Sequence, residues 1–118
     1  DSHNIILLGD DNEDMATAAN ELCRMGGGMV VVRKGECDGV PLEIGGLMSA
    51  GSAETFIEKS ERLMEKAYAM GVHRDLDAFL SLAFLSLAVV PALKLLDTGL
   101  FDVGKFAFTT VDADGEEA

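Results

Sequence analysis

M-V-V-V-R-K-G-E-C-D-G-V-P-L-E-I, residues 29–44, is the stretch on which the fold turns. Its first five residues set three consecutive valines in a short apolar run, the composition of a strand rather than a helix. K-G-E-C-D-G at residues 34–39 has the composition of a reversal, so residues 40–44 are expected to return as the second arm of a β-hairpin. Gly26, Gly27 and Gly28 stand immediately before it. They stop whatever element precedes, because glycine enters the left-handed conformation of a helix C-terminal cap without steric cost.

What precedes is a helix. Asp10, Asp11, Asn12, Glu13 and Asp14 supply its start, with Asp11 able to cap and the other carboxylates near the positive end of the helix dipole. Met15, Ala18, Ala19, Leu22 and Met25 then recur at helical spacing and define one apolar face. On the other side of the hairpin, residues 45–51 form a loop and Ser52 caps a second helix with Glu54 in its first turn. Ala53, Phe56, Ile57, Ser60, Leu63, Met64, Ala67 and Met70 form its inner stripe, Glu58 and Arg62 an outward i,i+4 pair, and Gly71 ends it.

The flanks are read with the same rules. N-I-I-L-L-G at residues 4–9 fits a buried strand that stops at a glycine. F-L-S-L-A-F-L-S-L at residues 79–87 is apolar on both faces and satisfies neither period, and we read it as a further buried strand. Asp97, Thr98 and Gly99 make a turn, residues 105–111 a last strand, and an acidic tail follows from Asp112. The element order predicts an α+β fold: one two-layer domain over residues 1–118, a mixed β-sheet with two main helices packed on it.

Charge and composition narrow the function classes. Nine basic residues against 21 acidic ones give a net charge of −12, a field that repels phosphate backbones and anionic lipid, so neither nucleic acid nor membrane is an expected partner. The longest uncharged run, residues 78–93, falls short of the ~20 residues that span a bilayer as a helix. Cys23 and Cys37 lack the spacing of a metal knuckle and are expected to be free thiols in a reducing cytoplasm.

Little in the chain can carry chemistry. The triple glycine follows its helix instead of opening one, and the turn after Gly9 is crowded by carboxylates, so neither cradles a phosphate. His3 and His73 stand apart, with no H-x-H or H-E-x-x-H, which leaves no metal ligand and no catalytic residue to nominate. His73 suits the negative end of the second helix. Asp10/Asp11 and Glu116/Glu117 read as a helix start and a solvated tail, not as a general acid and base. Asp1, Ser2, His3 and Asn4 place four hydrogen-bonding side chains just before an apolar run, where they can face a pocket. Adjacent in sequence, they do not form a nucleophilic triad.

Four segments together resemble the C-terminal domain of bacterial adenine deaminase. They are D-S-H-N-I-I at residues 1–6, R-M-G-G-G-M-V-V-V at 24–32, P-L-E-I-G-G-L-M-S at 41–49, and F-L-S-L-A-F-L-S-L-A-V-V-P-A-L-K-L-L-D-T-G-L-F-D-V at 79–103. The resemblance implies an accessory domain, inactive by itself, of a cytoplasmic amidohydrolase of purine metabolism that converts adenine and water to hypoxanthine and ammonia. It places a divalent metal of the manganese or iron type in a separate barrel domain of the same chain, with no cofactor in the present residues. By the same resemblance, Asp1, Ser2, His3 and Asn4 are candidates for the substrate pocket or domain junction. Gly46, Leu47, Met48 and Ser49 are candidates for an interdomain loop, and the expected partners are that barrel domain and further copies in a homo-oligomer. The acid-rich D-D-N-E-D stretch and the short tail after Val103 depart from the family pattern. The competing expectation is a noncatalytic domain for small-ligand binding or oligomerisation.

Overall fold

A computed structural model describes residues 4–112. Three helices, α1 (Asn12–Met25), α2 (Ala53–Ala69) and α3 (Ala78–Phe84), accompany five strands. These are β1 (Gly28–Arg33), β2 (Glu36–Pro41), β3 (Leu93–Leu96), β4 (Gly99–Asp102) and β5 (Ala107–Phe108). The α+β class expected from the sequence is the one observed. The mixed sheet resolves into two antiparallel sheets, β1-β2 and β3-β4-β5. Their connections are too short for the crossover that a parallel pair requires.

The chain divides into two units, residues 7–79 and residues 4–6 with 80–112. In the first, the hairpin turns on Lys34 and Gly35, both at positive φ (53° and 77°), between the last ladder pair Arg33 and Glu36. That is the primed two-residue geometry whose twist matches the strands. The reversal is therefore tighter than the six residues expected, and β2 begins earlier. Asp14, in the first turn of α1, accepts the N–H groups of Lys34 and Gly35 at 2.7 and 2.8 Å, tying the helix start to the turn.

Both main helices pack on this hairpin, one on each face. Successive strand side chains alternate, and the register puts Val30, Val32, Cys37 and Gly39 on one face and Val31, Arg33, Asp38 and Val40 on the other. Met25 of α1 lies over Gly28 and Gly39. From α2, Arg62 and Lys66 reach Asp38 at 2.9 and 2.7 Å, and the Arg33 guanidinium donates to the Ala69 carbonyl at 3.3 Å. Two covered faces explain why Val32 and Val40 are both buried. Leu63 of α2, 1 % exposed, contributes about 1.5–3 kcal/mol by its burial.

Local signals set the helix ends. Asp11 caps α1 by accepting the Asp14 N–H at 2.8 Å, and Gly26, at φ 77°, receives its C-terminus. Ser52 caps α2 in the same manner through Thr55. Arg62 leaves the Glu58 partner expected for it and spans to the hairpin, where Asp38 accepts from it and from Lys66 at once.

Three expectations are corrected. Residues 4–9 form no strand: a strand exists only through a ladder, none forms there among the described residues, and Leu8 is 82 % exposed. Residues 79–87 are largely helical as α3, where the Asp77 carboxylate accepts the Phe79 N–H at 3.1 Å and opens the turn. The last strand shrinks from residues 105–111 to Ala107–Phe108, because residues 103–106 are used in the turn that leads to it.

Candidate functional site

The loop at residues 46–49 is built from backbone. Ile44 and Met48 exchange N–H···O bonds at 3.0 and 3.2 Å in an isolated bridge, and Gly45 and Gly46 take φ of 65° and 74° to close it. Glu43 accepts the Ala50 N–H at 3.0 Å, and this bond holds its carboxyl below the usual range. The loop rests directly on the triple glycine. A Cβ on Gly27 would lie 2.6 Å from the Gly46 Cα, and one on Gly46 would lie 3.0 Å from the Gly26 carbonyl oxygen. Leu42 also donates its N–H to the Gly27 carbonyl at 3.1 Å. The two glycine motifs, far apart in sequence, are thus in backbone contact.

What this clamp presents is apolar. Ile44, Leu47 and Met48 are exposed, while Gly46 and Ser49 are half-buried. A short loop with several internal hydrogen bonds and a glycine seat is pre-organised, so covering its tip forfeits little conformational entropy.

Of the four polar candidates that open the chain, Asn4 is exposed, and Asp1, Ser2 and His3 lie outside the described residues. His73 is exposed after the end of α2. Its Nδ1 accepts the Asp75 N–H at 3.3 Å and lies 3.4 Å from that residue's carboxylate, so it serves the loop leaving the helix. Beside it, Arg74 grips Glu65 with two bonds of 3.0 and 2.9 Å and lies 5.0 Å over the Tyr68 ring.

A cleft of about 680 Å³ opens between the start of α1 and the hairpin turn, lined by Asp10, Asp11, Glu13, Asp14, Arg33 and Lys34 among others. Two of its four carboxylates are spent on the fold: Asp14 holds the turn and Asp11 caps α1. Cys37 sits beside Glu21 and Asp38, and burial followed by these carboxylates pushes its thiol up, away from a nucleophilic thiolate. Among the described residues no three His, Cys, Asp or Glu side chains converge to hold a metal ion, and no helix is long and apolar enough to cross a membrane.

Sequence reasoning missed one cluster. In the β3-β4-β5 sheet, Phe101 is edge-on to Phe106 and Phe108 at centroid distances of 5.5 and 5.4 Å. Three of the six phenylalanines fall within eight residues there, and that density was the available signal.

The comparisons with known proteins point one way. The family described as adenine deaminase C-terminal domain matches residues 1–107. A protein named adenine deaminase from Leuconostoc citreum is 47 % identical over 111 residues, 94 % of this chain and 20 % of its own length. Another of that name from Shigella sonnei is 48 % identical over 113 residues, 95 % of this chain and 19 % of its own. A third, from Escherichia coli K12, is 47 % identical over the same span. The chain therefore spans about a fifth of the length of these relatives. No solved structure matches it.

Proposed function

Because the chain belongs to the adenine deaminase C-terminal domain family, we propose that it is the noncatalytic accessory domain of a cytoplasmic amidohydrolase that converts adenine and water to hypoxanthine and ammonia. A barrel domain of the same polypeptide supplies the catalytic site and its divalent metal, of the manganese or iron type. The observation that carries the reading is the match over almost the whole of this chain against a fifth of each relative. Residues 1–118 act in it as one module. Asp1, Ser2, His3 and Asn4 face the substrate pocket or the domain junction, and the clamped loop of Gly46, Leu47, Met48 and Ser49 meets the barrel through its exposed apolar tip. Copies of the full polypeptide associate as a homo-oligomer.

Purified full-length polypeptide and the 118-residue chain, each with added divalent metal, should be compared for ammonia release from adenine. The full-length protein is expected to turn over and the chain alone to remain at the blank rate. Ammonia release by the 118 residues, or none by a folded, metal-loaded full-length protein, overturns the reading.

A further inference from the structure

The two units of the chain bury apolar surface very unequally. Among the described residues, the buried apolar side chains of residues 7–79 are Ala18, Val32, Val40, Leu63 and Ala67, whereas residues 4–6 with 80–112 bury one, Phe101. Exposure runs the other way. Ten of the 17 exposed large apolar side chains fall in the second and smaller unit, among them Leu93 and Leu95 of β3 and both rings that pack on Phe101. Apolar burial is the main force that holds a folded unit closed, so the second unit is closed by far less of it.

Its secondary structure does not make up the difference. α3, which contributes residues 80–84, has seven residues and buries none of them, and a helix under about 12–15 residues is marginal in water unless packing supports it. β3 and β4 have four residues each, and the two residues of β5 are both exposed. A sheet this small needs an apolar contact to persist, and the one it has centres on Phe101, with Phe106 and Phe108 edge-on to that ring. Backbone bonds complete it: the N–H groups of Leu95, Val103 and Thr109 donate to the Leu85, Ala92 and Leu100 carbonyls at 2.8, 2.9 and 2.9 Å. Each such bond replaces bonds to water and adds little net stability. In residues 7–79, by contrast, a helix covers each face of the hairpin, and Asp14 and Asp38 tie the helices to it.

We propose that residues 80–112 are a separately opening unit: the β3-β4-β5 sheet and the segment leading into it unfold and refold together while α1, the hairpin and α2 stay folded. Sub-global opening of this kind follows contiguous structural units and draws on those with the fewest buried apolar contacts. The Phe101 cluster is the latch. Phe106 and Phe108 both pack on that one ring, so its withdrawal releases them together, and the unit opens as a whole instead of fraying strand by strand. The inference stands on burial and packing within each unit and is independent of the accessory-domain reading.

Hydrogen exchange of the folded 118-residue chain, followed amide by amide by NMR at increasing sub-denaturing urea, tests this. Protection at Leu95, Val103 and Thr109 is expected to be lower by about tenfold or more than at Leu63 and Ala67 of α2, with a shallower dependence on urea. Phe101→Ala should lower the protection of the first three several-fold further, leaving that of α2 and the β1-β2 ladder, and the urea midpoint read by Tyr68 fluorescence, where they were. Equal protection and equal urea dependence in the two units overturn the proposal, because the chain then opens as one. So does a Phe101→Ala variant in which α2 loses as much protection as the sheet. Complete absence of protection at Leu95, Val103 and Thr109 in the parent chain overturns it as well, since a unit that never closes does not open.

Discussion

Gly27→Ala tests the contact that shapes the candidate loop. At φ 113° the backbone lies outside even the left-handed region that L-residues tolerate, and the cost of a side chain there is at least the ~1–2 kcal/mol of a left-handed residue. The added methyl would also stand 2.6 Å from the Gly46 Cα and 3.1 Å from its carbonyl oxygen. Both atoms are backbone and cannot swing away as a flexible side chain would, so forcing the loop aside adds about 1–3 kcal/mol. The sum is about 2–5 kcal/mol of destabilisation. Gly26→Ala is the control: its φ is 77° and no atom lies within 4 Å of the new Cβ, so only the conformational cost applies. With a urea slope of about 1–2 kcal/mol per molar, Gly27→Ala should unfold roughly 1 M or more below Gly26→Ala. Tyr68 is the only tyrosine in a chain without tryptophan, so its fluorescence reports the helix–hairpin unit selectively. Coincident midpoints for the two variants would refute the backbone contact.

Two further outcomes follow from the charges. The Lys66 hydrogen bond, with Arg62 beside it, holds the Asp38 carboxyl below the usual range despite partial burial. A lowered folded pKa stabilises above the unfolded value of about 4, and the gain is lost as pH falls through the folded one. Asp38→Asn should therefore cost about 1 kcal/mol at neutral pH, modest because Arg62 and Lys66 are largely solvated, and the gap from the parent should close in acid, below the usual carboxylate range. A gap of the same size at both pH values in urea titrations would count against the ion-pair account. In the full-length polypeptide, His3→Ala is expected to lower kcat or raise KM for adenine, measured by ammonia release. Unchanged kinetics remove His3 from the pocket or junction.

The parts of the fold legible in the sequence were those specified by neighbouring residues. Asp11, Gly26 and Ser52 act within one helical turn of themselves, so α1 and α2 could be bounded without knowing what they touch. The hairpin was legible because three valines followed by the reversal composition of residues 34–39 are a local signal, although composition alone did not narrow the turn to Lys34 and Gly35. The segments misread are those whose state is decided by a partner. N-I-I-L-L-G has strand composition, but composition supplies no ladder. F-L-S-L-A-F-L-S-L is apolar on both faces, so period could not choose, and the Asp77 cap opens a helix there. Nor could parity have been read for L-K-L-L of β3, whose lysine is buried while Leu93 and Leu95 are exposed, a reversal of the ordinary pattern.

The motifs that made the family recognisable divide by physical role. R-M-G-G-G-M-V-V-V and P-L-E-I-G-G-L-M-S meet at Gly27 and Gly46, where the absence of a side chain on each allows the other's approach, so their glycines have a steric explanation without any substrate. Leu47 and Met48 have none. They are held out by the clamp that the glycines make, and an apolar pair on a rigid loop contributes nothing to the stability of the chain that carries it. In the other sheet Phe106 and Phe108 pack edge-on against Phe101 and still leave most of their own surface exposed. Exposed apolar groups on constrained backbone in both units are what a domain shows when part of its hydrophobic surface belongs to a neighbour. The accessory-domain reading explains this distribution, whereas a self-standing small-ligand binder would concentrate its apolar surface in a pocket, and the cleft at the start of α1 is lined mainly by charge.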